Sequence, residues 1–124
     1  MLAWSDPYEA YRRTHLDARV QGGDTTELVR FCLEQAIQSL GSAIMADSRQ
    51  EPTARSKSIV RALTAITALE MGVDRDAPMG TVLLHFYGAT REALLSSVIQ
   101  FDAERLASVR QDLVDVSGAL HPVR

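Results

Sequence analysis

The stretch DAERLASVRQDLVDVSGAL, Asp102 to Leu120, sets Leu106, Val109, Leu113, Val116 and Leu120 three and four residues apart. At 3.6 residues per turn these five side chains fall on one stripe of a helix, with polar residues on the rest of its surface. A stripe of that width is the seam of a helix packed lengthwise on other helices. Asp102, just ahead of the run, supplies a carboxylate that can accept from a backbone N–H of the first turn.

Working back from this seam, the same period recurs three times. A third helix is predicted over about Ala77 to Ile99, with Met79, Val82, Leu83, Phe86, Tyr87, Leu94, Leu95 and Val98 covering more than one narrow stripe, so that it contacts several neighbours. Pro78 is placed in its first turn, where a missing N–H costs nothing. A second helix is predicted over about Thr53 to Met71, carrying Ile59, Val60, Leu63, Ile66 and Leu69, with Gly72 in the left-handed position that stops a helix. The first long helix opens at Asp24-Thr25-Thr26-Glu27, a capping-box pattern, and continues through Leu28, Val29, Cys32, Leu33, Ala36, Ile37, Leu40 and Ile44 until Pro52. Short connections between helices of similar length favour antiparallel neighbours, so the expected fold is all-α, an antiparallel up-down four-helix bundle.

The first twenty-three residues stand apart. Trp4, Tyr8 and Tyr11 make a short aromatic helical stripe, and a looser segment then ends in Gly22-Gly23. The chain is therefore expected to be one domain over 1–124, with an N-terminal cap segment (1–23), a short aromatic helical piece packed on the bundle, ahead of a four-helix bundle (24–120). A length of 124 residues allows one hydrophobic core and not two.

Composition narrows the function classes. The net charge of −3 and pI of about 5.5, with Arg12–Arg13 the only basic pair, argue against a nucleic-acid binder, which needs clustered cations facing phosphates. The single cysteine, Cys32, excludes an internal disulfide and a Cys-rich metal site, and it lies in an apolar stretch with no base beside it. No secretory signal and no apolar run long enough to cross a bilayer is visible, so a cytoplasmic protein without membrane insertion is expected. His15, His85 and His121 lie far apart with no ligands at metal spacing, and there is no phosphate loop or nucleophile motif. Neither a metal nor a cofactor is expected, and the protein is read as a binder of other proteins, not an enzyme.

One alternative belongs to the enzyme class. Histidine phosphotransfer domains are also small helical bundles with an active histidine on a helix. In Leu84-His85-Phe86-Tyr87-Gly88 the glycine follows His85 by three residues where such domains have it four on after a lysine, and no cation follows until Arg91.

With the helices placed, the residues resemble the flagellar secretion chaperone family, FliS, from about Tyr8 to Leu120. Members carry a short aromatic segment with an Ala-Tyr pair, matched by Ala10-Tyr11. Their Ser-Pro-x-x-Leu opening is matched at Leu28, with Asp24-Thr25 in place of Ser-Pro. Lys57-Ser58-Ile59-Val60 with Leu63 is similar to the family's Lys-Ala run in the second helix. Phe86-Tyr87, Leu94-Leu95 and Asp102 repeat the family's Leu-Tyr pair, Leu-Leu pair and helix-opening Asp in order and spacing. Leu120 stands where the family often has tryptophan.

The resemblance implies a cytoplasmic chaperone that binds the C-terminal segment of flagellin, blocks premature polymerisation and aids delivery to the flagellar type III export apparatus. Other partners for such a bundle are an export-gate protein or an anti-sigma factor. In the family the N-terminal aromatic segment lies over part of the binding groove and is displaced by flagellin. Tyr8 and Tyr11 are thus candidates either for a detachable cover or for a fixed cap. Candidate groove residues are Ile59, Leu63, Ile66, Leu83 and Tyr87, each of which also suits a place in the core.

Overall fold

A computed structural model of the chain describes residues 26–121. Four helices run in order: α1 Thr26–Ser48, α2 Pro52–Met71, α3 Gly80–Ile99 and α4 Ala103–Leu120. The proposed caps at Asp24, the Trp4-Tyr8-Tyr11 stripe and the 1–23 segment lie outside the described residues.

Each helix packs on its two ring neighbours, α1 on α2, α2 on α3, α3 on α4 and α4 on α1, while the other two pairs lie across the diagonals. Cross-contacts fix the directions. Glu70 lies beside Gly88, whereas Val60, ten residues earlier, shares a small cavity with Val98. Likewise Arg110 reaches Ile37, while Leu120 shares a pocket with Val29. Both pairs are antiparallel, and the up-down bundle expected from the sequence is the fold.

One core fills the ring. Leu33, Leu40, Ile66, Tyr87, Leu94, Leu106 and Leu113 are its largest fully buried side chains. Alanines make the bundle asymmetric. Ala36, Ala43, Ala62, Ala65 and Ala68 are all completely buried, and they sit on α1 and α2, the pair whose backbones approach most closely. Small side chains permit that approach, since interaxial distance follows side-chain size at the contact.

Helix ends were less faithful to expectation than helix faces. A left-handed residue ends α1, and it is Gln50, at φ 56. The Glu51 N–H donates to the Ala46 carbonyl and the Gln50 N–H to that of Asp47, the paired bonds of a Schellman stop. Pro52 then occupies the first turn of α2, where its fixed φ suits helix entry. Gly72 instead continues in right-handed geometry at φ −89, its N–H still donating to the Ala68 and Leu69 carbonyls.

A left-handed non-glycine residue costs roughly 1–2 kcal/mol in backbone strain. Part of that is offset by the chain freedom a glycine loses on folding. Gln50→Gly is therefore expected to stabilise the fold by about 0.5–1 kcal/mol, read as a higher denaturant midpoint at unchanged slope.

The third helix also starts later than expected. Two tight turns come first, with the Asp76 N–H donating to the Asp74 carboxylate, the Ala77 N–H to the Asp74 carbonyl and the Gly80 N–H to the Ala77 carbonyl. Pro78 belongs to these turns and not to the helix. Asp102, by contrast, caps α4 as expected, its Oδ1 accepting from the Arg105 N–H at 3.1 Å.

Polar ties cross between the helices. Asp47 and Arg55 pair at 2.8 Å between α1 and α2, with the Arg55 guanidinium also 5.0 Å from the centre of the Phe101 ring. Glu70 and Arg91 pair at 2.8 Å between α2 and α3, and the carboxylate holds the arginine's pKa above its usual value. Arg110 of α4 donates from Nε to the Ile37 carbonyl of α1 at 3.1 Å. Cys32 is completely buried, and desolvation pushes its thiol up to about 12, so it stays protonated and inert at neutral pH.

Candidate partner-binding surface

Two kinds of apolar surface remain once the core is closed. The first is a concave pocket of about 270 Å³ at the end of the bundle where α1 begins. Val29 of α1, Leu69 of α2, Leu83 and Tyr87 of α3 and Leu120 of α4 line it, and Met79 stands at the start of α3 on its edge. All four helices contribute because antiparallel packing brings two N-termini and two C-termini to this end. Asp74 and His121 add polar groups, and His121 Nδ1 is buried with no hydrogen-bond partner among the described residues. A space of this size and lining accepts one or two bulky apolar side chains.

The second surface is exposed apolar side chains outside the core stripe. Met79 and Val82 are 53% and 58% exposed at the start of α3, with Leu120 partly exposed at the end of α4. Val60 on α2 and Leu95, Val98 and Ile99 near the end of α3 form a further set, Ile99 being 91% exposed. Apolar residues this open to water are candidates for contact with a partner.

The candidate residues named from spacing divide three ways. Leu83 and Tyr87 come together in the pocket wall, although Tyr87 is itself buried; Leu63 and Leu83 are half-buried against the core. Ile59 and Ile66 are buried core residues, with Ile59 also touching the small cavity near Val60 and Val98. They do not gather into one groove. Tyr8 and Tyr11 lie outside the described residues. Val82, Val98 and Ile99 were missed as surface, although the signal was present: α3 carries more apolar residues than its buried positions at 80, 87, 90, 93, 94 and 97 can absorb.

His85 is exposed on α3 in a shallow open depression that also holds Glu70, Arg91 and Glu92. The Arg91 guanidinium is engaged there by Glu70 at 2.8 Å and Glu92 at 3.6 Å. Two carboxylates in that depression disfavour a phosphorylated imidazole. Among the described residues no cluster of His, Cys, Asp and Glu is arranged to hold a metal ion, and no helix is long and apolar enough to cross a membrane.

Among the described residues the bundle is all-helical, with an apolar end pocket and exposed apolar side chains. Residues 7–123 match the family described as flagellar protein FliS. The chain belongs to that family. The match spans nearly the whole chain, including all four helices and the stretch from residue 7 that precedes them. FliS proteins are flagellar export chaperones that bind flagellar proteins and are not enzymes. No curated protein matches the chain.

Proposed function

We propose that this protein is a cytoplasmic chaperone that holds the C-terminal segment of flagellin before export, one chaperone to one client. It would prevent premature polymerisation and aid delivery to the flagellar type III apparatus. The observation that carries the reading is membership of the FliS family over residues 7–123. The apolar surface supports it. A disordered amphipathic segment folds on binding by laying its apolar face against such stripes, with a bulky side chain anchored in a pocket.

Within this proposal the end pocket and the exposed residues Met79 and Val82 are the first contact region. Thr26, the first residue of α1, itself lines the pocket. Tyr8 and Tyr11, from the family resemblance, are proposed to act in client binding, as cover or as contact.

The test is calorimetry with full-length flagellin and with flagellin lacking its C-terminal segment. Binding to the first at one-to-one stoichiometry and none to the second is expected. Equal binding to both would remove the client assignment.

A further inference from the structure

We infer that α4 is a separable helix, latched to α1 through Arg110, which opens as a unit while α1, α2 and α3 stay folded. The inference stands apart from the client-binding reading and does not require it. Its basis is how unevenly the four helices are held.

Of the 18 residues in α4, only the apolar Leu106 and Leu113 are buried, against seven buried apolar residues in α1, six in α2 and three in α3. Its contact with α3 is the slightest of the four ring contacts. The other helices are joined by ion pairs, Asp47 with Arg55 and Glu70 with Arg91, whereas α4 is tied to α1 by a single-donor hydrogen bond, Arg110 Nε to the Ile37 carbonyl. The remaining polar contacts of α4, Gln111 with Asp115 and the Asp102 cap, stay within its own turns.

The latch depends on a glycine. A Cβ at Gly41 would lie 3.3 Å from Arg110 Nε and 3.9 Å from Cζ, where the guanidinium now rests across α1. The absent side chain lets an arginine from a neighbouring helix reach a carbonyl in the middle of α1. Local opening free energy follows buried apolar contact, which makes α4 the first helix to leave. Once detached it is an 18-residue helix with an open polar face, too marginal to persist alone in water. Opening therefore exposes the α4 amides to exchange and uncovers the part of the core that Leu106 and Leu113 close.

Hydrogen exchange of the full 124-residue chain under native conditions, followed by mass spectrometry, reads this directly. Interior α4 amides over 107–117 are expected to exchange about tenfold or more faster, at matched intrinsic rates, than those of 33–43 and 58–68. Arg110→Met keeps the apolar stem and removes the donor. It is expected to raise exchange over 107–117 about fivefold further, leaving 58–68 unchanged. Gly41→Leu, which fills the guanidinium's place, should act in the same direction on α4. Equal protection in α4 and α2 of the unmodified chain would overturn the separable helix. A rise spread evenly over all four helices in Arg110→Met would overturn the latch.

Discussion

Replacing Gly80 by alanine is expected to destabilise this protein by about 1–3 kcal/mol, at the upper end of that range for an overpacked site. The cause is space. Gly80 does not sit in a left-handed conformation; it is buried where the 72–79 connection folds back over the start of α3. A Cβ there would overlap the Asp74 carbonyl oxygen and lie 3.1 Å from the Arg75 Cα and carbonyl carbon. All three are backbone atoms, so no side-chain rotation relieves the clash. Either the turn held by the Asp74 and Ala77 carbonyls opens or the first turn of α3 shifts.

Gly118 provides the opposite case. Nothing lies within 4 Å of a Cβ built there, and the residue is exposed near the end of α4. Gly118→Ala should stabilise by up to about 1 kcal/mol, through reduced freedom of the unfolded chain. Urea midpoints at constant slope for the two variants would carry opposite signs. A shared sign would mean that the packing at Gly80 has been misread.

These glycines mark where the sequence was legible and where it was not. Apolar period alone placed all four helices, because each must bury one face and the spacing of that face is fixed by helix geometry. The Asp102 cap was equally legible, being a local event between a side chain and the next turn. The other helix ends were not local. Gly72 does close α2, but in right-handed geometry, and the left-handed residue stands at the end of α1, where the sequence shows only Gln50. That follows from the need to reverse direction within three residues before Pro52, which local propensity does not register. Pro78 suits a first helical turn because its missing N–H costs nothing there, but the close approach of Gly80 to Asp74 and Arg75 delays the helix.

The binding surface was less legible than the fold for a related reason. A helical period identifies apolar residues but does not say which are turned outward, since the ring order of the bundle decides that. Ile59 and Ile66 on α2 share a stripe with Leu69, and that stripe faces the core. Val60, one position on from Ile59, is 58% exposed. The distinction is a rotation of one hundred degrees about α2. Only the placement of α1 and α3 on either side of that helix fixes it.

Ile66→Ala is therefore expected to cost about 2–5 kcal/mol of stability while leaving client affinity, measured on folded protein, unchanged. Ile66 has no accessible surface and belongs to the single core cluster. Removing its side chain leaves a cavity among Leu and Ala neighbours that α1 and α2, already in close contact, are poorly able to close. A loss of that size is a large share of the roughly 5–15 kcal/mol that holds a domain of this kind together. Val82→Ser supplies the converse. Its side chain is 58% exposed, so stability should move by no more than about 0.5 kcal/mol, whereas binding of the flagellin C-terminal segment should weaken. Calorimetric titration beside thermal unfolding separates the two effects, provided the temperature keeps Ile66→Ala folded. If Ile66→Ala instead lowered affinity while fully folded, a residue sealed in the free bundle would have to meet the client. The bundle would then open as it binds, and the α3–α4 seam, the slightest of the four ring contacts, is where that opening would begin.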